Sequence, residues 1–145
     1  MRIIVFTILM FSSISLLKAQ TWETNFPVAK TEAAQSNKAI ILVFSGSDWC
    51  APCIKLEKQI LESETFKAFA NENAILVRAD FPRKKENQLP EDIQEQNSQL
   101  AGLYNQNGYF PFVVVLDAEG HVLGEAGYEK VKPEQYVSKL KHFIN

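Results

Sequence analysis

The sequence predicts an α/β fold, a mixed sheet flanked by helices, on three observations. Ala39–Phe44, Ala74–Ala79 and Phe112–Leu116 are short apolar runs rich in β-branched residues, the pattern of strands buried on both faces. Between the first two, Cys53, Leu56 and Ile60 recur at i, i+3 and i+7, so a helix connects them and the two strands run parallel. After the third run, Asp117-Ala118-Glu119-Gly120 and His121–Gly124 form a hairpin, with glycine where a left-handed residue is expected.

The elements follow in chain order. Residues 1–19 read as a signal peptide: Arg2 supplies the positive start, Ile3–Leu17 is mostly apolar, and Ala19 is a small residue before the cut. Leu17, three residues before the cut, departs from the small-x-small pattern. Even so, Thr7, Ser12, Ser13 and Ser15 break a run already shorter than the roughly 20 residues a membrane span needs, which favours cleavage over an anchor. Trp22 begins a small edge strand. Phe26, Ala29 and Ala33 mark one face of a helix that stops in Gln35–Lys38, where Ser36 and Asn37 favour a turn. Phe81–Pro90 is charged and proline-bounded, an exposed loop. Ile93, Leu100, Leu103 and Tyr104 then follow a helical face that Asn107-Gly108 ends. Pro133 opens the last helix, with Tyr136, Val137, Leu140, Phe143 and Ile144 inward. Residues 20–145 form one domain, without repeat or linker.

Composition narrows the function. The 145-residue chain has a formal net charge of -2, and loss of residues 1–19 removes Arg2 and Lys18 and no acid, giving -4. No block of like charge suggests nucleic acid or a membrane surface as partner. A domain of this length buries an ordinary core without staples, so its two cysteines, Cys50 and Cys53 in "SDWCAPC", need another reason.

Three readings compete for them. A zinc site needs four ligands, and His121 and His142 stand on a hairpin and on the last helix, away from ligand spacing. A structural disulfide closing so short a loop removes only about 2 kcal/mol of denatured-chain entropy. A redox centre asks for more and finds it. Cys50 falls at a helix start, where free backbone N–H groups and the helix dipole stabilise a thiolate. Cys53, one turn on, is buried yet close enough to resolve a mixed disulfide. Pro52 suits the first turn, where its missing N–H had no partner. Cys50 is thus the candidate nucleophile and Cys53 the candidate resolving thiol.

With Trp-Cys-x-Pro-Cys between strand and helix, the chain resembles the thioredoxin superfamily over nearly all of residues 20–145. "ILVFSGSDWCAPC", "RADFP" and "GYFPFVVVLDAEG" are most similar to exported thioredoxin-like proteins of Bacteroidetes-type bacteria. The resemblance implies a thioredoxin-like fold in three α/β/α layers. It implies a cis-proline facing the cysteines, matched by Pro111, and a neighbour, Phe110, whose backbone pairs with the substrate chain. Trp49 would flank the reactive sulfur as part of the docking surface; Tyr109 reads as structural.

One departure stands out. Thioredoxins carry a buried aspartate six positions before the first cysteine, thought to accept a proton during resolution; here that place is Phe44. Asp48 and Glu57 are nearby carboxylates of the kind more often found solvated near a helix start, and Lys55 reads as a surface residue. The implied activity is exported protein disulfide oxidoreduction, in the reducing direction because proline precedes the second cysteine and the large helical insertion of the oxidants is missing. It needs no cofactor or metal. Expected partners are protein disulfides and a membrane or periplasmic thiol-disulfide electron donor, with the chain acting as a monomer. The alternative is a thioredoxin-fold binding or chaperone-like module whose cysteine pair stays oxidised.

Overall fold

A computed structural model describes residues 20–145; the expected signal peptide lies outside them. The strands are β1 (Trp22–Glu23), β2 (Ala39–Ser45), β3 (Ala74–Asp80), β4 (Phe112–Leu116) and β5 (Val122–Ala126). The helices are α1 (Phe26–Ser36), α2 (Ala51–Leu56), α3 (Glu64–Asn73), α4 (Glu91–Tyr104) and α5 (Pro133–Ile144). The sheet order is β1-β3-β2-β4-β5, with β1 and β2 parallel to β3, and β4 antiparallel to both β2 and β5.

Because side chains alternate across a strand, β2 feeds two cores. Ile41 and Val43 pack with Leu56, Ile60, Phe66 and Leu140 under α2, α3 and α5. Ile40, Leu42 and Phe44 pack with Ala29, Ala33 and Leu100 under α1 and α4. Helix, sheet and helix therefore form the three expected layers, with both faces of the central strand dry. The first helix stops as its sequence indicates: Asn25 caps it through Val28 N–H, and Asn37 closes it in the left-handed region at φ 52°.

Three expectations are corrected. The single helix between β2 and β3 is two, α2 and α3, and a π turn over Glu57–Leu61 follows α2 directly. Within it Glu62 N–H donates to the Glu57 carbonyl at 2.9 Å, and the extra residue per turn puts both Ile60 and Leu61 in the core. On α4, Leu103 is 69% exposed; the buried positions are Asn97 and Leu100, because the Asn97 amide reaches the Asp80 carbonyl at 3.0 Å. The return strand of the hairpin starts at Val122 and runs to Ala126, since Asp117 keeps His121 in the turn by accepting its N–H. Gly120 there has φ +97°.

Candidate active site

The strand-to-helix crossing after β2 is built from local hydrogen bonds. The Gly46 carbonyl accepts from Trp49 N–H at 3.2 Å and Cys50 N–H at 2.9 Å, which folds residues 46–50 into a tight turn. Asp80, ending β3, receives Ser47 N–H at 2.9 Å and its hydroxyl at 2.5 Å. Cys50 thereby stands as the N-cap of α2, and Pro52 lies in its first turn.

Cys50 and Cys53 are joined in a disulfide with Cα atoms 5.2 Å apart. The Cys50 sulfur accepts Cys53 N–H at 3.3 Å, so one of the orphan donors of the helix start already points at it. The two cysteines are equally enclosed, each 4% exposed; position on the helix, not burial, distinguishes them. Ala51 and Pro52 cover the outer side and are exposed.

The other expected site residues gather around Trp49, the neighbour of Cys50. The Phe110–Pro111 peptide is cis. Phe110 meets Trp49 edge-on, with ring centroids 5.5 Å apart, and meets Phe81 at the same separation. Trp49 donates its indole N–H to the Phe81 carbonyl at 2.8 Å. Arg83 lies over the indole ring, with the guanidinium carbon 3.8 Å from the centroid. Tyr109, read as structural, is 56% exposed, with its ring edge-on to Phe112 at 5.8 Å.

Two residues absent from the sequence reading hold this arrangement. A Cβ on Gly46 would lie 2.3–2.6 Å from Trp49 ring atoms, so glycine is what lets the indole lie against the backbone. Buried Asn105 accepts Tyr109 N–H and donates to the Tyr109 carbonyl, both at 2.9 Å, pinning the chain just before Phe110. The only hints in sequence were a glycine three residues before a tryptophan and an asparagine ending a helix.

The carboxylates take roles the sequence did not assign. Asp48 accepts Arg83 N–H and Lys84 N–H, each at 2.9 Å, and the Asn87 amide at 3.0 Å. The Arg83 amide, then the Asn87 amide, hold its carboxyl below the usual carboxylate range. Glu57 pairs with Arg78 at 2.7 and 2.9 Å, and Arg78 in turn stacks on Trp22 at 4.2 Å. This ion pair borders a recess of about 170 Å³ that Cys53 and Ser45 also line. Phe44, at the position that motif spacing equates with the thioredoxin aspartate, belongs to the core under α1 and α4 and packs against Phe112. The residue of β2 beside Cys53 is therefore Ser45, because the pleat turns its neighbour to the opposite face.

Comparisons with known proteins agree with this geometry. A family model described as thioredoxin-like matches residues 21–118. The chain is 42% identical over 120 residues to the disulfide bond reductase DsbH of Chlamydia pneumoniae, spanning 83% of this chain and 70% of that one. A solved structure titled DsbH oxidoreductase aligns with a TM-score of 0.79 at 40% identity, over 86% of this chain and 83% of the other. A thioredoxin from Thermus thermophilus aligns with a TM-score of 0.62 at 14% identity, over 83% and 84% of the two chains. That last likeness concerns fold alone.

Proposed function

The chain belongs to the thioredoxin-like family of thiol-disulfide oxidoreductases, and from that premise we propose that it is an exported reductase of protein disulfides. The observation that carries this reading is Cys50 at the start of α2, its sulfur facing Cys53 N–H at 3.3 Å. In the reduced protein that donor and the helix dipole favour the Cys50 thiolate. The thiolate attacks one sulfur of a substrate disulfide, and the other leaves as a thiolate that takes up a proton. Cys53 then loses its proton and attacks the Cys50 sulfur, releasing the second substrate thiol. Two electrons have passed to the substrate and Cys50–Cys53 is oxidised. A membrane or periplasmic dithiol donor restores it.

Trp49, Phe110 and Pro111 form the docking surface in this scheme. Trp49, next to Cys50, packs edge-on against Phe110, and in this reading the backbone at Phe110, steadied through Asn105, pairs with an extended substrate segment. Similarity to a protein named disulfide bond reductase supports the direction. The protein acts as a monomer, and residues 1–19 direct its export.

Two measurements test the proposal. The Cys53→Ser protein should accumulate mixed disulfides through Cys50, whereas Cys50→Ser should trap almost none; absence of both adducts would refute the assigned roles. The midpoint potential should lie near the thioredoxin value of about -270 mV or above, whereas a value below about -300 mV would mark an inert bond, as in a binding module that stays oxidised.

A further inference from the structure

The loop after β3 carries Arg83-Lys84-Lys85, three exposed cations in succession on a chain whose formal charge is -2. Such a run ordinarily splays into solvent. Here it is fixed. Asp48 takes three hydrogen bonds from the loop, from Arg83 N–H, Lys84 N–H and the Asn87 amide. Gln88 reaches back to the Pro82 carbonyl at 2.9 Å and the Lys84 carbonyl at 3.2 Å. Lys85–Asn87 forms a 3-10 turn. The loop start is tied to Trp49 through the Phe81 carbonyl, and Arg83 lies over the same indole.

Asp48 and Trp49, the two residues immediately before Cys50, make four hydrogen bonds with the loop, and Phe81 N–H adds one to the Ser45 carbonyl. Asp48 keeps its negative charge, which the loop amides stabilise, so it offsets one of the three cations while it ties down their backbone. Glu86 is the only acid within residues 82–90, against three cations. On the same end of the molecule, Ile54, next to Cys53, is 39% exposed and adds apolar surface. The residues just before Cys50 thus anchor the backbone of a loop whose three cations outnumber Glu86 and the Asp48 beneath them, on a chain of net negative charge.

We propose that the Arg83–Lys85 loop is a specificity element that selects disulfide partners carrying Asp or Glu beside their oxidised cysteine. This rests on the reductase reading above. Exposed pairs of this kind add little affinity but raise the rate of productive encounter, and salt suppresses them. The loop would therefore act on the second-order rate, in a salt-dependent way, and Lys84 and Lys85 are the charges to reverse, because Arg83 also packs on the Trp49 ring.

The test uses the full mature protein, reduced beforehand with dithiothreitol and freed of it. Two peptides are compared, each with one cysteine in a disulfide with 2-mercaptoethanol, flanked by glutamates in one and glutamines in the other. At low ionic strength the glutamate peptide should be reduced about five-fold faster, and the ratio should fall toward one in 0.5 M salt, as expected over distances beyond a screening length of about 4–5 Å. In the Lys84→Glu/Lys85→Glu protein the ratio should fall below one; because it is a ratio within one protein, it is insensitive to the amount folded. Equal rates in the natural protein, or a ratio that the double substitution leaves unchanged, would overturn the proposal alone. Failure to reduce either peptide would overturn the reductase reading and this proposal with it.

Discussion

Gly46 and Asp48 show how much a site can depend on residues that carry no reaction chemistry. Alanine at Gly46 has no room beside the Trp49 ring, so Gly46→Ala should push the indole off the Phe81 carbonyl and away from Arg83. Misplacing a docking group by about 1 Å typically costs one to two orders of magnitude in rate. Disulfide exchange should slow by about that much, and a shift in Trp49 fluorescence should accompany it; unchanged emission with unchanged rate would remove Trp49 from the docking surface. Asp48 supplies a pH dependence. Its folded pKa is depressed by the Arg83 and Asn87 hydrogen bonds, so its contribution is complete above the unfolded value of about 3.9 and is lost as the pH falls through the lower folded value. The Arg83 and Lys84 amide resonances should therefore move together in acid, below about pH 4, and Asp48→Asn should abolish that titration. The roles of these residues were illegible in sequence for one reason. A carboxylate that holds a loop gains meaning only from a partner far along the chain, such as Arg83, 35 residues from Asp48, and a glycine that makes room only from the placing of its neighbour's ring, here tied to Phe81, 32 residues from Trp49.

Local signals placed the elements well where core packing and caps agreed with them. Asn37, Gly120 and Pro133 stop or start elements at the positions their chemistry favours. The π turn left no such signal, because Leu56 and Ile60 satisfy a plain helical face and only the burial of Leu61 betrays the inserted residue. Leu103 misled because apolar spacing alone cannot show that Asn97 has a carbonyl waiting for it inside. At this scale α5 offers a direct test. Tyr136 is buried, and its hydroxyl donates to the Gly127 carbonyl at 2.9 Å, joining the last helix to the segment after β5. Burial, with Glu129 adding to it, raises the phenol pKa far above its ordinary value, so the group stays a neutral donor. Tyr136→Phe strands that carbonyl and should destabilise the fold by about 1–3 kcal/mol. Chemical denaturation would show it as a lower midpoint with unchanged slope, and an unaltered midpoint would mean that the bond contributes nothing net.

Across the whole molecule, one sheet carries the redox turn at the carboxyl end of its central strand and gives each layer of helices a separate core. The parallel unit and the hairpin were both readable because their registers follow from short apolar runs with turns between them. What could not be read was which β2 residue lies beside Cys53, since sequence does not say which face of the strand each residue takes: Phe44 falls in the core under α1 and α4, and Ser45 lines the recess with Cys53. Export makes its prediction here. The mature protein should begin at Gln20, and N-terminal sequencing or intact mass of protein recovered from the envelope would reveal a retained leader if that is wrong.

The two-residue β1 has a bearing on how the chain tolerates attachments. Its Trp22 supports Arg78, which holds Glu57 at the rim of the recess behind Cys53. A fusion partner joined ahead of residue 20 would hang from this short strand and tug on the charged pair nearest the resolving thiol. Asn145, exposed just past α5, offers a quieter point of attachment, so a reporter placed there should leave the chemistry of the cysteines as it finds it.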